Sequence, residues 1–421
     1  MPLIWNVNFS YYLCRMKRIV TIMTAALLMS FTAAFAQDMD NSEMTKRIDE
    51  VFDAVYNNPN EPGAAVLIMQ GNDTLYSRCY GLADMITREP VTFATNFCIA
   101  SVSKQFSAVA LMQLAEEGRL SLNDPLSKFF PEFPAPFFQD ITLHHIMSHT
   151  SGIPDARSRS DRNFVLYSTD VESVGYMKTL DHLNFEPGTQ YEYINPTFQL
   201  IYQIVERATG IPFETYMHEN VFGKAGMETC RYYEPDRVIS HLAHGYERDD
   251  KGVWQEYDYG EESFFATKAD GALYCSINDF VRWERALRDN RVWTAASKRL
   301  AYTPWIQIQQ DANYGYQPYT GYGYGFFVQD LPNRCTRVYH LGDNGGFTIY
   351  AGKIPERDLI FLFFSTRPDI DRLGMVNSVY EPLSRDNCII LHYFKKDFPF
   401  RKLTFQNIGI FLISGRKHKN F

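Results

Sequence analysis

Ser101 and Lys104 lie three residues apart in the stretch Phe97-Cys98-Ile99-Ala100-Ser101-Val102-Ser103-Lys104-Gln105-Phe106. Residues at that spacing share a helix face, so a helix starting here sets the lysine amine beside the serine hydroxyl. A serine hydroxyl is a weak nucleophile until a base takes its proton. Lysine is such a base only where burial or a nearby cation lowers its pKa, and the apolar flanks of the pair predict burial. A helix N-terminus adds backbone N–H groups where negative charge develops. Alone, the pair has a plainer reading, with Ser101 as a helix cap and Lys104 as a solvated first-turn residue.

Two further elements carry related chemistry. Tyr193-Ile194-Asn195 sets a phenol and an amide two residues apart, between a turn and a helix. A phenol near a buried ammonium can relay protons, and an amide can orient a lysine and a substrate carbonyl. At His340-Leu341-Gly342 a histidine ends a predicted strand, and the glycine lets a ligand approach the backbone. His145 and His149, four apart, have the spacing of a helical metal pair. No glutamate lies between them and no third ligand has recognisable spacing, so packing and hydrogen bonding account for them better.

The elements that must position these groups are legible in outline. Phe106, Ala108, Val109, Leu111, Met112 and Leu114 predict a helix running from the pair to Gly118. Upstream, residues 64–70 and 74–80 read as a hairpin around Gly71-Asn72-Asp73. A helix capped by Ser42 precedes it, with Met44, Ile48, Val51, Phe52 and Val55 on one face. Residues 120–138, rich in Pro and Phe, read as a loop-rich cover over a core. Thr142 is a predicted cap for a short helix ending near Gly152, and Phe185-Glu186-Pro187-Gly188 marks a tight turn. Phe198, Leu200, Ile201 and Ile204 mark a helix that Gly210-Ile211-Pro212 breaks. Ser276 and Asp279 read as a capping box before a helix bearing Phe280, Trp283 and Leu287. From Tyr322 the pattern turns to strands, at 325–329, 337–340, 347–353 and 359–365. Strands at both ends with helices between them predict an α+β fold in which the two ends build one sheet.

The chain's 421 residues, 45% of them hydrophobic and 21% charged, suffice for a large globular core. The net charge is −8, and removing residues 1–36, which hold Arg15, Lys17 and Arg18 and no acid, leaves −11. That balance argues against a nucleic-acid-binding surface. Met16-Lys17-Arg18, the apolar run from Ile19 to Phe31 and Ala34-Phe35-Ala36 read as an export signal cleaved before Gln37. The run is short for a membrane span, so no stable span is expected after cleavage. Residues 1–15 lie upstream of a better start at Met16 and read as foreign to the natural product. After Cys14 come six scattered cysteines, Cys79, Cys98, Cys230, Cys275, Cys335 and Cys388, with no zinc spacing. They read as isolated buried thiols, although export leaves room for a disulfide. Residues 386–421 mix basic and aromatic residues around a short apolar run. They read either as a last packed element with a basic tip or as an abnormal terminus.

In their order, Ser101-Val102-Ser103-Lys104, Tyr193-Ile194-Asn195 and His340-Leu341-Gly342 resemble the S-x-x-K, Y-x-N and H-x-G motifs of the penicillin-recognising serine hydrolases. These are the class C β-lactamases, DD-peptidases and related esterases. Met147-Ser148-His149-Thr150-Ser151-Gly152-Ile153, Phe185-Glu186-Pro187-Gly188 and Gly271-Ala272-Leu273-Tyr274-Cys275-Ser276 are similar to accessory pieces of that superfamily. The resemblance implies a β-lactamase/transpeptidase-like α+β fold. In it an antiparallel sheet, flanked by helices, carries an inserted, mostly helical subdomain, with the active site in the cleft between them. The serine hydrolase domain would span 37–385, with the sheet subdomain drawn from about 45–110 and 270–385 and the helical one from about 111–269.

By the same resemblance Ser101 attacks a carbonyl, Lys104 and Tyr193 accept its proton and pass it to the leaving group, and Tyr193 helps activate water. Asn195 orients Lys104 and the substrate, His340 lines the opposite wall of the cleft, and the N–H groups of Ser101 and Asp343 form the oxyanion hole. No metal or organic cofactor is required. Two departures weigh on substrate choice. His340 stands where a dedicated class C β-lactamase has lysine, and Asp343 stands where a small or uncharged residue is usual, so its carboxylate is expected to point away. Peptidase or esterase activity therefore ranks above β-lactamase activity, with Arg334 and Arg337 as candidate carboxylate anchors. The alternatives are a β-lactamase, a β-lactam- or peptidoglycan-binding sensor without turnover, or a surface assembly protein that uses the tail. Substrate identity and oligomeric state stay open.

Overall fold

The computed structural model describes residues 42–155, 169–234, 237–257, 267–308, 320–332 and 334–383. The expected export signal (1–36) and the tail (386–421) lie outside them. Among the described residues eight strands build the central sheet, numbered here in chain order: β1 Ala64–Gln70, β2 Asp73–Tyr80, β3 Ile306–Gln307, β4 Thr320–Tyr322, β5 Phe327–Asp330, β6 Thr336–Asn344, β7 Phe347–Ile354 and β8 Leu359–Ser365. Their spatial order is β3-β4-β5-β6-β7-β8-β1-β2, and every neighbouring pair is antiparallel. β1 lies against β8, with Ala64 opposite Ser365 and Gln70 opposite Leu359, so the two ends of the chain close one sheet.

Both faces of this sheet are covered, and its central strands are accordingly apolar on both sides. Ala64, Val66, Ile68, Phe361 and Phe363 pack with Ile48 and Phe52 of the helix at 42–53 and with Val376 and Val379 of the helix Arg372–Leu383. Ser42 lies within the first of these helices. Ala65, Leu67, Met69, Leu362 and Phe364 face the other way, into a larger core with Phe106 and Phe280. Period-two alternation decides which residue meets which layer.

On that second face lies the helix Lys104–Glu116, buried from Lys104 through Leu114. Phe106 stacks on Trp283 with ring centroids 4.2 Å apart, and the Trp283 indole N–H donates to Gln105 Oε1 at 2.7 Å. Truncating Phe106 to alanine would cost roughly 3–5 kcal/mol. Phe129, Phe130, Phe133 and Phe138 of the predicted cover pack inward beside this core. Further helices, Leu143–Met147, Asp170–Tyr176 and Asn195–Thr209, follow before the chain returns to the sheet.

A second, three-stranded sheet sets Leu273–Ser276 between Asn96–Cys98 and Arg231–Tyr232. Ser276 then caps the helix Ile277–Arg288 by accepting the Asp279 N–H. The predicted capping box is only half made. The Asp279 carboxylate instead accepts the N–H groups of Glu228, Thr229 and Cys230. Among the described residues no helix is long and apolar enough to cross a membrane.

Candidate active site

The chain leaves the strand Asn96–Cys98, passes Ala100 at φ +47° and forms a 3₁₀ turn, Ala100–Ser103, that runs into the helix beginning at Lys104. Ser101 thus sits in a tighter turn ahead of the α-helix, not in its first turn. A left-handed alanine costs roughly 1–3 kcal/mol and persists only where its surroundings enforce it. One enforcing contact is β6. A Cβ on Gly342 would lie 2.4 Å from the Ile99 carbonyl oxygen and 3.3 Å from Ala100 Cβ. Gly342 is therefore glycine because β6 packs directly on the serine turn.

Lys104 has no exposed surface. Its Nζ donates to Ser101 Oγ at 3.0 Å and to the Asp270 carbonyl oxygen at 2.9 Å, and it lies 5.1 Å from the Tyr193 ring centroid and 5.7 Å from that of Phe198. Asn195 is the expected orienter of Lys104. It is the first residue of the helix Asn195–Thr209, and its buried Oδ1 accepts no hydrogen bond among the described residues. The main-chain carbonyl of Asp270 orients the ammonium in its place.

Residues 268–270 are themselves clamped, by groups that sequence reading does not single out. The Asp170 carboxylate accepts the N–H of Lys268 at 2.7 Å and of Ala269 at 3.4 Å. Ser107 donates to the Ala269 carbonyl at 2.6 Å, and Gln199 Nε2 donates to Asp270 Oδ2 at 3.3 Å. Burial, reinforced by the Asp270 carboxylate, pushes Asp170 well above the ordinary carboxylate range. No spacing rule signals this clamp, because its acceptors meet main-chain groups about a hundred residues away. The only local trace is the capping box of Thr169 and Glu172, which starts the helix carrying Asp170.

Tyr193 is held by rings, with its centroid 4.3 Å from His149 and 6.3 Å from Phe327, the latter stacked. His149 is buried, lies at φ +57° and accepts the Ile194 N–H on Nδ1 at 3.3 Å. Burial, helped by the charge of Lys104, drives its pKa well down, so the ring is neutral. His145 accepts the Thr142 N–H on Nδ1 at 3.2 Å, which completes the cap of the helix Leu143–Met147. Both histidines thus serve backbone geometry. Among the described residues no group of three or more His, Cys, Asp or Glu is placed to hold a metal ion.

His340 lies inside β6, not at its end. Its Nδ1 is 2.7 Å from the Leu341 carbonyl oxygen, which only accepts, so Nδ1 carries the proton. Nε2 then accepts from the Tyr322 hydroxyl at 2.9 Å. Burial first, and Lys104 second, push the ring down to about 3. A neutral imidazole with both nitrogens committed therefore stands at the first position of the third motif. The exposed Asp343 carboxylate is gripped by Arg372 at 2.8 and 3.0 Å, which turns it toward the C-terminal helix. Arg337 hydrogen-bonds Gln329 and Asn377 and packs on Tyr380, so it serves the opposite layer; Arg334 is exposed in the turn between β5 and β6.

The geometry thus gathers Ser101, Lys104, Tyr193 and the β6 segment about one turn. The profile of the Beta-lactamase family matches residues 33–377. The chain is similar to penicillin-binding protein 4* of Bacillus subtilis (strain 168), 27% identical over 318 residues, which are 72% of this chain and 68% of that one. It is also similar to esterase EstB of Burkholderia gladioli, 32% identical over 219 residues, 48% of this chain and 55% of the esterase. In three dimensions it is similar to the octameric penicillin-binding protein homologue from Pyrococcus abyssi, with a TM-score of 0.67, 25% identity, and coverage of 85% of this chain and 79% of that one. With its fold and most of its length accounted for in this way, the chain belongs to the Beta-lactamase family, the penicillin-recognising serine hydrolases.

Proposed function

We propose that this serine hydrolase is exported and cleaves peptide or ester substrates through an acyl-enzyme on Ser101, with D-alanyl cell-wall peptides as the leading peptide candidate. The observation that carries the reading is the fully buried Lys104 Nζ at 3.0 Å from Ser101 Oγ. In this scheme Oγ attacks the carbonyl carbon while Lys104 and Tyr193 take its proton and deliver it to the leaving alcohol or amine. The tetrahedral oxyanion is received by the N–H groups of Ser101 and Asp343, a pairing supported by the contact of Gly342 with Ile99 and Ala100. Water activated by Tyr193 then releases the acid. Asn195, through its carboxamide, is assigned to the substrate amide. Export rests on the signal-like segment that ends at Ala36.

Substrate preference follows from His340. A neutral, doubly committed imidazole stands where a dedicated class C β-lactamase has lysine, which supports ranking peptidase or esterase turnover above β-lactamase turnover. Intact mass spectrometry after incubation with a penicillin and, separately, ester turnover with p-nitrophenyl acetate test this, each repeated on Ser101→Ala. A penicilloyl adduct that persists and is lost in the variant identifies Ser101 and a DD-peptidase or sensor with slow deacylation. Ester turnover with neither adduct nor penicillin consumption identifies an esterase or amidohydrolase. Rapid penicillin consumption overturns the preference, and silence with both substrates overturns the acyl-enzyme reading.

A further inference from the structure

Cys230 and Cys275 belong to different parts of the chain, 45 positions apart in sequence, and meet in the three-stranded sheet. Arg231 lies opposite Tyr274 and Tyr232 opposite Leu273. The same register continued by one residue sets Cys230 directly opposite Cys275. Antiparallel neighbours alternate between pairs that exchange hydrogen bonds and pairs that do not. The Tyr233 N–H donates to the Ala272 carbonyl at 3.1 Å, so that pair and Arg231/Tyr274 are the bonded kind, and Cys230/Cys275 is the unbonded kind. In agreement, the Cys230 N–H goes elsewhere, to the Asp279 carboxylate at 3.1 Å. Unbonded pairs bring Cα atoms to roughly 4.5 Å, inside the range a disulfide spans without backbone movement. Both cysteines are buried and free, and each thiol acts on the other's ionisation.

We propose that Cys230 and Cys275 are a cross-strand disulfide site, closed when the chain folds in an oxidising compartment. Cys98 does not compete for Cys275. It lies opposite Tyr274 on the other neighbouring strand, so its side chain points to the opposite face of the small sheet, toward the Gly271 carbonyl and Asn344. The chemistry is thiol–disulfide exchange with a small-molecule disulfide such as oxidised glutathione. One cysteine thiolate attacks the reagent and expels a thiolate. The other attacks the resulting mixed disulfide and expels the second. The protein loses two hydrogens and the reagent becomes two thiols. Burial pushes both protein thiols above their ordinary range, so exchange proceeds during folding, before the sheet closes over them. The bond would tie residues 228–232 to the strand that follows Asp270 and pairs with the approach to Ser101.

The test is peptide mapping of the full chain refolded with oxidised glutathione and alkylated in denaturant without reductant. The expected product is a Cys230–Cys275 linked peptide, two hydrogens lighter than its parts, with Cys14, Cys79, Cys98, Cys335 and Cys388 alkylated. In Cys230→Ala, Cys275 should become alkylated; should that variant fail to fold, the wild-type map alone decides. Alkylation of both cysteines in the wild type, or a link from either to another cysteine, overturns the proposal.

Discussion

Two buried lysines divide the labour of this molecule. Lys353 on β7 is met by the Glu284 carboxylate at 2.8 and 3.1 Å and lies over the rings of Tyr302 and Phe326. Burial pulls its pKa down while Glu284 opposes the fall, and the pair locks the helix Ile277–Arg288 to the sheet. Lys104 is buried at least as deeply, and its hydrogen bonds include one to the Ser101 hydroxyl and one to the Asp270 main-chain carbonyl. A carboxylate holds an ammonium in one protonation state, whereas a hydroxyl leaves a proton to be exchanged. In the proposed mechanism the same residue type is thus structural in one place and a proton carrier in the other.

The comparison is broken most sharply at Lys104. Lys104→Met keeps the volume of the buried chain and removes the proton acceptor. Ester turnover should fall roughly 10³-fold, about 4 kcal/mol of transition-state stabilisation, with the circular dichroism spectrum retained. The mirror experiment is Glu284→Gln, which leaves the Lys353 ammonium buried without its carboxylate. Denaturant titration should show a loss of about 3 kcal/mol, largely recovered in the double variant Glu284→Leu/Lys353→Met, while specific activity of the folded fraction stays within twofold in both.

Acid should act on the neutral rings around Lys104. The folded His340 pKa is about 3, against an ordinary value of 6.5 in the unfolded chain. Above pH 6.5 neither state binds the proton and the contribution is complete; below it the unfolded state protonates first, and stability is lost as pH falls toward 3. His340 alone should cost about 2 kcal/mol between pH 7 and 5, read from thermal unfolding. The loss should persist in Lys104→Met, because burial outweighs Lys104 as its cause. The smallest effect is expected at Asp170, which acts on Lys104 only through the backbone of 268–270. Asp170→Asn should lower kcat about tenfold, near 1.4 kcal/mol, with KM within twofold and an altered pH–rate profile. A proportionate rise in KM, with the profile unmoved, would show that the clamp serves binding instead.

Much of the scaffold is visible in the residues themselves. The hairpin at 64–80, the Gly210 helix stop and the strands near the C-terminus follow from apolar period and turn chemistry, which act over a few residues. The predicted serine helix stops at Glu116, two residues early, and leaves Gly118 in the left-handed region just beyond its end. Boundaries of β6 were the weaker part. Its predicted end at His340 falls inside the strand, because Leu341, Gly342 and Asp343 look like a turn until β7 pairs with them.

By itself, then, the sequence determined the order of the motifs, the placing of Ser101 three residues before Lys104, and the α+β class, since each depends on side-chain type at short spacing. Tertiary structure alone decided that the Asp270 carbonyl faces Lys104, that Asp170 clamps residues 268–270, that His340 is neutral with its proton on Nδ1, and that Arg372 draws the Asp343 carboxylate away. The physical reason is long-range packing. Every residue has the same carbonyl and, proline apart, the same N–H, and which of them meets Lys104 or Asp170 is settled by the packing of one layer on another, as is the meeting of Arg372 with Asp343.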